Sequence, residues 1–344
     1  MEIHYNDYLQ LDKILAAQQP ESFKPGSLPA HDEMLFIIIH QTYELWFKQI
    51  LFELDAVLST MQQPVLNDNA ADLQTVVHRL KRVVTILKIL VQQIDIIETM
   101  TPLDFLDFRD MLRPASGFQS TQFKMMETKL GLRFEQRHCL HHYTDQLNTA
   151  EVTTIKSTEK NTSLVQLINL WLQRMPFTAH HNFEASKEDN LLNKPTNFLS
   201  AYQTVYEKSL ANGEENNKEH FKNIFYDSPQ NKDRQLTAKA CENALFILLY
   251  RGYPMLELPF QLLETLLEID NQLGNWRHRH INMVQRMIGT RIGTGGSSGA
   301  GYLKGAMENH AIFKEIATLN SFLIDRRKLP SLPIKLTEML SYTF

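Results

Sequence analysis

Residues 259–288 read PFQLLETLLEIDNQLGNWRHRHINMVQRMI and are the most informative stretch of the chain. Along it, apolar or aromatic side chains alternate with spacings of four and three residues, which is typical of one buried face of a long helix. Pro259 is a favourable first helical residue, so we predict a helix from Pro259 to about Ile288. The residues on its inward face are Leu262, Leu266, Ile269, Leu273, Trp276, His280, Met283 and Met287.

Two histidines of this helix differ in their expected environment. His280 belongs to the apolar stripe and is predicted to face the core, whereas His278, between Arg277 and Arg279, points to another side of the helix. A neutral imidazole in an apolar site is a suitable axial ligand for haem iron or another metal. The alternative is a structural histidine that is hydrogen-bonded to a backbone carbonyl.

A second inward histidine lies in the first half of the chain. His40 is four residues after Phe36 and three before Tyr43, on the apolar face of a helix predicted from Asp32 to about Met61. Two inward histidines on separate helices suggest a polar site between helices, where bundles hold their cofactors, although each also fits a structural role. The same reasoning predicts helices at 69–99, 104–112, 118–146 and 236–250, and polar connectors at 149–163 and 211–220.

The composition favours a helical globular protein. The chain has 344 residues with only 13 glycines and 13 prolines, too few for a turn-rich sandwich or barrel, and its 43% of hydrophobic residues can form a sizeable core. We therefore predict an all-α, bundle-like single domain over 1–344. The net charge of -4 argues against nucleic acid and anionic lipid as partners. Short apolar runs argue against a membrane span, and the two cysteines, Cys139 and Cys241, suit the cytoplasm.

A glycine-rich segment follows the 259–288 helix, with GTGGSSG at 293–299. It does not fit a P-loop, because no Gly-Lys-Ser/Thr follows, and without a preceding strand it is weak evidence for a dinucleotide site. Two interpretations remain for this segment. It is either a plain connector or a mobile loop whose backbone amides and Thr294 hydroxyl hold a small anion such as a carboxylate.

Arg109 is the other candidate for anion binding. It lies in the mostly apolar segment FLDFRDML at 105–112. Its planar guanidinium either binds a ligand carboxylate with two hydrogen bonds or pairs locally with Asp107 or Asp110. Local pairing is the default expectation.

Three segments together resemble the tryptophan 2,3-dioxygenase family. They are EMLFIIIHQTYELWFKQILFELD at 33–55, ETMTPLDFLDFRDMLRPASGFQSTQF at 98–123 and WRHRHINMVQRMIGTRIGTGGSSGAGYL at 276–303. YNDYLQLDKILAAQQP at 5–20 and PFQLLETLLEID at 259–270 are also similar to the family. Residues 131–235, which include His180 and His181, match weakly.

The resemblance implies a fold, an assembly and a reaction. The family is all-helical, forms homotetramers and binds haem b in a pocket between long helices. It inserts both atoms of O2 across the indole C2–C3 bond of L-tryptophan to give N-formyl-L-kynurenine, the first step of tryptophan catabolism by the kynurenine pathway. In this chain, residues 1–20 would reach a neighbouring subunit and residues 147–230 would form a variable helical insertion.

The resemblance also implies roles for single residues. His280 matches the axial ligand of the haem iron, and His40 matches the distal histidine that faces the indole N–H. Arg109 and Thr294 match the positions that hold the carboxylate and ammonium of the substrate. Phe105 stands where some members carry tyrosine, which removes one possible hydroxyl contact.

The remaining matches concern the pocket walls and the subunit boundary. Phe36 and Ile39 would line the indole pocket, and Ser116 and Gly117 would lie near the haem edge. The N-terminal positions that would complete a neighbouring subunit's site are Tyr5, Tyr8 and Leu9. Three alternatives stay open: an indoleamine dioxygenase-like enzyme of broader specificity, a haem sensor or storage protein without catalysis, and a helical scaffold without a cofactor.

Overall fold

The computed structural model describes residues 3–66, 70–137, 147–179, 183, 197–226, 234–294 and 311–342. Its regular elements are helices, which confirms the all-α prediction. The α-helices of the described residues are α1 (Tyr5–Leu9), α2 (Leu11–Leu15), α3 (Glu33–Met61), α4 (Ala71–Ile97), α5 (Pro102–Arg109), α6 (Thr121–Leu130), α7 (Thr149–Glu159), α8 (Leu164–Gln173), α9 (Phe198–Ser209), α10 (Asn216–Phe225), α11 (Ala238–Tyr250), α12 (Pro254–Ile288), α13 (Lys314–Thr318) and α14 (Ile334–Leu340). Short 3₁₀ helices lie at Glu21–Phe23, Asp110–Leu112, Gly117–Gln119, Phe134–Gln136, Phe177–Ala179, Leu319–Phe322 and Arg326–Lys328.

The longest of these helices, α12, begins earlier than the sequence pattern indicates. Pro254 is its first residue and Pro259 lies inside it, so the predicted start at Pro259 was wrong. Proline fits the first helical position because the N–H there has no intrahelical partner. Pro254 satisfies this rule, whereas Pro259 lies in the second turn and lacks the N–H of one intrahelical hydrogen bond. Leu256, buried ahead of Pro259, shows that the inward face already begins in the first turn after Pro254.

Two polar segments predicted as connectors contain helices. Residues 149–163 include α7, whose start is capped by Asn148: its side chain accepts from the Glu151 N–H, and the Glu151 carboxylate accepts from the Asn148 N–H, both at 2.9 Å. Ile155 is buried and anchors the helix against the core. The second connector, 211–220, is shorter than predicted because α10 starts at Asn216.

The helix predicted over 118–146 ends early. Helix α6 stops at Leu130, and Gly131 follows with φ +128°, a conformation that L side chains rarely adopt. A Cβ at Gly131 would lie 2.8 Å from the Cγ2 atom of Val165, so glycine also permits close approach to α8. Residues 138–146 lie outside the described ranges.

Three long helices form the centre of the molecule. Helix α4 packs against both α3 and α12, and α6 packs against α3. The three helices contribute their inward apolar side chains to one large buried cluster. None of the helices in the described part of the chain has the length and apolar character needed to cross a bilayer.

A second, smaller apolar cluster lies where α5 meets the start of α3 and the end of α12. Its apolar side chains come from three separate parts of the sequence, 30–36, 100–112 and 283–288, so it forms only in the folded chain. The fully buried members are Ala30, Met100, Phe108 and Met287, and the partly buried ones are Leu35, Phe36, Phe105, Leu112, Met283 and Ile288. This cluster forms one side of the region that contains the predicted site residues.

Candidate active site

His40 is held in one orientation by its own helix. Its Nδ1 atom lies 2.7 Å from the carbonyl oxygen of Phe36, one turn earlier on α3. A carbonyl only accepts, so Nδ1 donates this hydrogen bond and carries the proton. Burial lowers the pKa of His40, so the ring is neutral at neutral pH. Its Nε2 atom is therefore an acceptor, suited to a ligand that presents an N–H group.

His280 lies on the inward face of α12. Burial, with a smaller contribution from the nearby His40, lowers the pKa of His280 to about 4. The two imidazoles therefore lie within electrostatic range of each other, although 240 residues separate them in sequence. His280 Nδ1 is buried and has no hydrogen-bond partner among the described residues. By contrast, His278 is exposed on the same helix and contacts Asn282 at 3.1 Å.

An aromatic wall adjoins His40. The ring of Phe36 lies 4.1 Å from that of His40, 5.8 Å from that of Phe105 and 5.6 Å from that of Phe108, measured between centroids. Ile39, next to His40 on α3, is buried. The structure thus brings Phe36, Phe105 and His40 together, and Phe105 adds an apolar edge without a hydroxyl group.

Arg109 ends α5 beside this wall and is only 5% exposed. Its Nη2 atom donates to the backbone carbonyl of Ile292, just beyond α12, and its Nε atom is buried without a partner among the described residues. Asp110 pairs instead with Arg113 at 3.4 Å. Within the described part of the chain, Arg109 pairs with neither Asp107 nor Asp110, so the local-pairing expectation was wrong.

The glycine-rich segment enters the site at its first residues. Gly289 ends α12 with φ +58°, and Ile292 then meets Arg109. Thr294 follows two residues later and is partly buried. The rest of GTGGSSG, residues 295–299, lies outside the described ranges.

Two other groups of predicted site residues stand apart from the histidines. The Ser116 hydroxyl caps the 3₁₀ turn that starts at Gly117 by accepting from the Phe118 N–H at 3.3 Å, and Gly117 borders open space. Tyr5 and Tyr8 are 68% and 73% exposed, and no residue of α1, including Leu9, is buried. No hydrogen bond or ring contact between described residues joins either group to His40 or His280.

Sequence reasoning missed two contacts at this site. Trp276 stacks on His280 with ring centroids 4.9 Å apart, although its position one turn earlier on the same face could have indicated this. The Ile292 carbonyl that meets Arg109 could not have been found, because any residue type offers that group. Together the site offers two neutral imidazoles, an aromatic wall and one buried guanidinium, an arrangement suited to a flat apolar ring that carries a carboxylate.

Comparison with known proteins agrees with this chemistry. A sequence profile of the tryptophan 2,3-dioxygenase family matches residues 1–323. The chain is 43% identical over 361 residues to tryptophan 2,3-dioxygenase of Bdellovibrio bacteriovorus, with 99% of each chain covered. It is 43% identical to that of Alteromonas mediterranea, with 98% of this chain and 97% of the relative covered. For the Dictyostelium discoideum protein the identity is 40%, with 99% and 89% covered. The chain belongs to the tryptophan 2,3-dioxygenase family.

Proposed function

We propose that this protein is a haem-dependent dioxygenase that converts L-tryptophan and O2 to N-formyl-L-kynurenine. The observation that carries the proposal is the location of two neutral histidines in one region: His40 on α3 and His280 on α12. The aromatic wall and the buried Arg109 belong to the same region. Family membership and relatives of that name along nearly the whole chain favour this reaction over the broader indoleamine reaction and over a haem sensor.

His280 has the properties of an axial ligand for haem b. A metal ligand must be deprotonated, and burial keeps the imidazole neutral with a pKa of about 4. No hydrogen bond to a described residue engages its ring, so Nε2 is available to an iron atom, and Met283 and Met287 provide apolar surface on the same helix. His280 would hold the haem, and the chemistry that ferrous haem would supply there is the activation of dioxygen.

His40 orients the indole in this proposal. With Nδ1 committed to the Phe36 carbonyl, its Nε2 atom accepts a hydrogen bond from the indole N–H. We assign it no full proton abstraction, because insertion of both oxygen atoms has no net proton requirement. Phe36, Ile39 and Phe105 line the indole pocket and exclude water from it.

Arg109 and Thr294 recognise the amino-acid end of the substrate. The buried guanidinium has an Nε–H without a partner, and no carboxylate among the described residues pairs with it, which suits a substrate carboxylate. The same arginine contacts Ile292, so carboxylate binding and the position of Thr294 are linked through two residues of backbone. In this assignment Ser116 and Gly117 lie at the haem edge, and the described helices within residues 147–230 belong to a variable insertion.

We further propose a homotetramer. Helices α1 and α2 contain no buried residues, so Tyr5, Tyr8 and Leu9 have apolar surface that the described part of the chain leaves uncovered. Their proposed position is in a neighbouring subunit's site, within the segment 1–20. A cytoplasmic location is proposed with this, on the ground that Cys241 is a free, buried thiol.

The test is turnover of L-tryptophan by the purified, haem-supplied protein under isotopically labelled dioxygen. We expect a product that carries two labelled oxygen atoms per molecule. Absence of product from haem-loaded protein would support a sensor and contradict the proposal. Equal turnover of tryptamine, which lacks the carboxylate, would indicate the broader indoleamine reaction instead.

A further inference from the structure

The Nδ1 atom of His280 lacks the contact that usually fixes a metal-binding histidine. In most such histidines the second ring nitrogen donates to a carboxylate or a backbone carbonyl, which sets the orientation of the ring. Here Nδ1 is buried, and no protein group among the described residues accepts from it. The torsion that turns an imidazole is a broad one between sp³ and sp² atoms, so neighbouring groups must set it by packing.

The ring that packs on His280 is the indole of Trp276. The two side chains lie one turn apart on α12, with centroids 4.9 Å apart and planes 22° from parallel. A nearly parallel ring at this distance covers one face of the imidazole and opposes its rotation. Among the hydrogen bonds and ring contacts of the described residues, this stacking is the one that His280 makes.

Trp276 is itself held from two other helices. Phe123 of α6 lies 5.0 Å from it, and Tyr43 of α3 meets it edge-on at 6.3 Å and 72°. The Tyr43 hydroxyl donates to the Leu90 carbonyl of α4 at 2.8 Å, which fixes the phenol ring in turn. Burial raises the pKa of Tyr43 to about 12, so this donor is retained at neutral pH.

The next residue on α12 fixes the backbone of the same turn. Arg277 pairs with Glu127 of α6 at 2.7 Å, and Glu127 also pairs with Arg137 at 2.6 Å. All three side chains are buried. The turn that precedes His280 is thus held on one side by stacked rings and on another by an ion pair.

We infer that Trp276 is a positioning residue for His280: the face of its indole holds the imidazole in the orientation that offers Nε2 to haem iron. The inference rests on the proposed function, because it requires His280 to be the ligand. It assigns the role to the aromatic face and not to the indole N–H. Phenylalanine at this position should therefore preserve the role, and an aliphatic residue should not.

The test compares Trp276→Leu with Trp276→Phe in the full-length, haem-loaded protein, with His278→Ala as the matched control on the exposed side of the same turn. The iron–histidine stretching band of the ferrous protein, measured by resonance Raman, reports the orientation of the ligand. The rate of haem transfer to apomyoglobin reports how strongly the protein retains its haem. For Trp276→Leu we expect a shifted, broadened band and ~10- to 100-fold faster haem loss. Trp276→Phe and His278→Ala should stay close to the wild type.

Two results would overturn the inference while leaving the proposed function intact. One is a Trp276→Leu protein with the wild-type band and rate of haem loss, and the other is a Trp276→Phe protein as impaired as Trp276→Leu. Wild-type protein that takes up no haem would overturn the proposed function as well. If Trp276→Leu does not accumulate, Trp276→Met replaces it, since methionine fills irregular space without offering a ring face.

Discussion

Arg109 brings a permanent charge into surroundings that are mainly apolar. Its position beside Phe108 and its contact with the Ile292 carbonyl leave one buried N–H without a partner in the described residues. Burial of such an N–H is costly unless a ligand accepts a hydrogen bond from it. A carboxylate can accept two charge-assisted hydrogen bonds from a guanidinium. Recognition of the substrate should therefore depend strongly on this side chain.

We expect Arg109→Ala to lose ~2–5 kcal/mol of transition-state stabilisation with L-tryptophan, roughly 30-fold to several thousand-fold in kcat/KM. Arg109→Lys should not restore it, because an ammonium lacks the planar pair of donors. Thr294→Ala should cost only ~1–2 kcal/mol, since one hydroxyl bond is lost. Steady-state kinetics with L-tryptophan and tryptamine measure these effects.

Tryptamine is the control for the structural part of the effect. The Ile292 contact serves both substrates, whereas the carboxylate contact serves L-tryptophan alone, so Arg109→Ala should lose most of the preference for L-tryptophan. Equal losses with the two substrates would mean that Arg109 only holds the segment after α12.

Substitution of His280 and substitution of His40 should have opposite effects on haem binding. His280→Ala should abolish stable haem binding because the iron loses its protein ligand, whereas His278→Ala should retain haem. His40→Ala should retain haem and lower kcat/KM, since a hydrogen bond to the substrate is lost. Absorption spectra of the haem-supplied variants measure the haem content of all three, and steady-state kinetics measure kcat/KM for the His40 variant. Loss of haem in the His40 variant would instead identify that residue as an iron ligand.

Much of this residue-scale arrangement could be predicted from spacing. The alternation of four and three residues correctly predicted that His40 and His280 face inward and His278 faces outward, because the direction of a side chain on a helix depends on local geometry. The partner of Arg109 could not be predicted, because it is a backbone carbonyl 183 residues away. Contacts of that kind depend on how two elements pack against each other. The spacing of residues within one element carries no information about that packing.

At the scale of elements, α6 and α12 are joined through a buried carboxylate. Glu127 accepts from Arg277 at 2.7 Å and from Arg137 at 2.6 Å, and Arg137 also donates to Thr128 at 2.9 Å. Breaking a buried pair leaves an uncompensated charge, which usually costs more than the pair contributes. The network therefore fixes the packing of α12 close to His280.

Glu127→Gln should lower the free energy of unfolding by ~3–5 kcal/mol, because both arginines then face a neutral amide. Denaturant unfolding of the haem-free protein measures this. The control is Lys88→Gln, which removes an exposed pair with Glu268, at 3.2 Å, between α4 and α12. An exposed pair contributes ~0–1 kcal/mol, so a similar loss in both variants would contradict the role given to burial.

Another buried carboxylate ties the segment before α3 to the site. Glu33 accepts from the backbone N–H groups of Glu21 and Ser22, each at 2.8 Å, and the Ser22 hydroxyl accepts from the Ala30 N–H at 3.0 Å. Ala30 belongs to the apolar cluster that contains Phe108. The carboxylate thus positions residues 20–30 against one side of the site.

Glu33→Gln should loosen this segment, because the amide offers one acceptor where the carboxylate offers two. We expect a local cost of ~1–3 kcal/mol, seen as faster hydrogen exchange at the Glu21 and Ser22 amides. Lys24→Gln, which removes only the exposed pair with Glu21, is the control. Unchanged exchange in Glu33→Gln would show that the apolar cluster alone holds the segment.

The accuracy of the sequence-based prediction differed between elements for a physical reason. Long amphipathic helices such as α3 and α4 were predicted to within about two residues, because their apolar periodicity runs over many turns. Helix α7 was missed, since it is short and polar and has few buried side chains, with Ile155 the main one. Its capping pair, Asn148 and Glu151, was the local signal available.

At the scale of the whole molecule, helices α1 and α2 are not buried by any of the residues that the structure describes. Tyr5, Tyr8 and Leu15 are each more than two-thirds exposed, at 68%, 73% and 73%. The segment that follows is nevertheless tied to α3: the Gln41 amide donates to the Ala17 carbonyl at 3.1 Å and accepts from Gln18 at 2.7 Å. Residues 17–18 are thus fixed to α3 while α1 and α2 remain exposed, an arrangement that fits exchange of the N-terminal helices between subunits.

Removal of residues 1–12 should weaken L-tryptophan binding and the tetramer while haem stays bound. The physical reason is that a site shared between chains makes assembly part of function. Sedimentation velocity and steady-state kinetics on the truncated protein measure the two effects, with haem content as the internal control. A truncated protein with wild-type assembly and kinetics would contradict the proposed exchange.

The order of the central helices has a consequence for synthesis. Helix α4 is complete at Ile97, but α12, which covers one of its apolar faces, ends only at Ile288. At ~5–20 residues per second, a ribosome needs roughly ten to forty seconds to make the chain between these points. During that interval the leucine, isoleucine and valine side chains of α4 that face α12 in the finished protein lack that cover. Cells that make this protein should therefore need chaperones that bind the growing chain, and prematurely terminated chains should aggregate or be degraded.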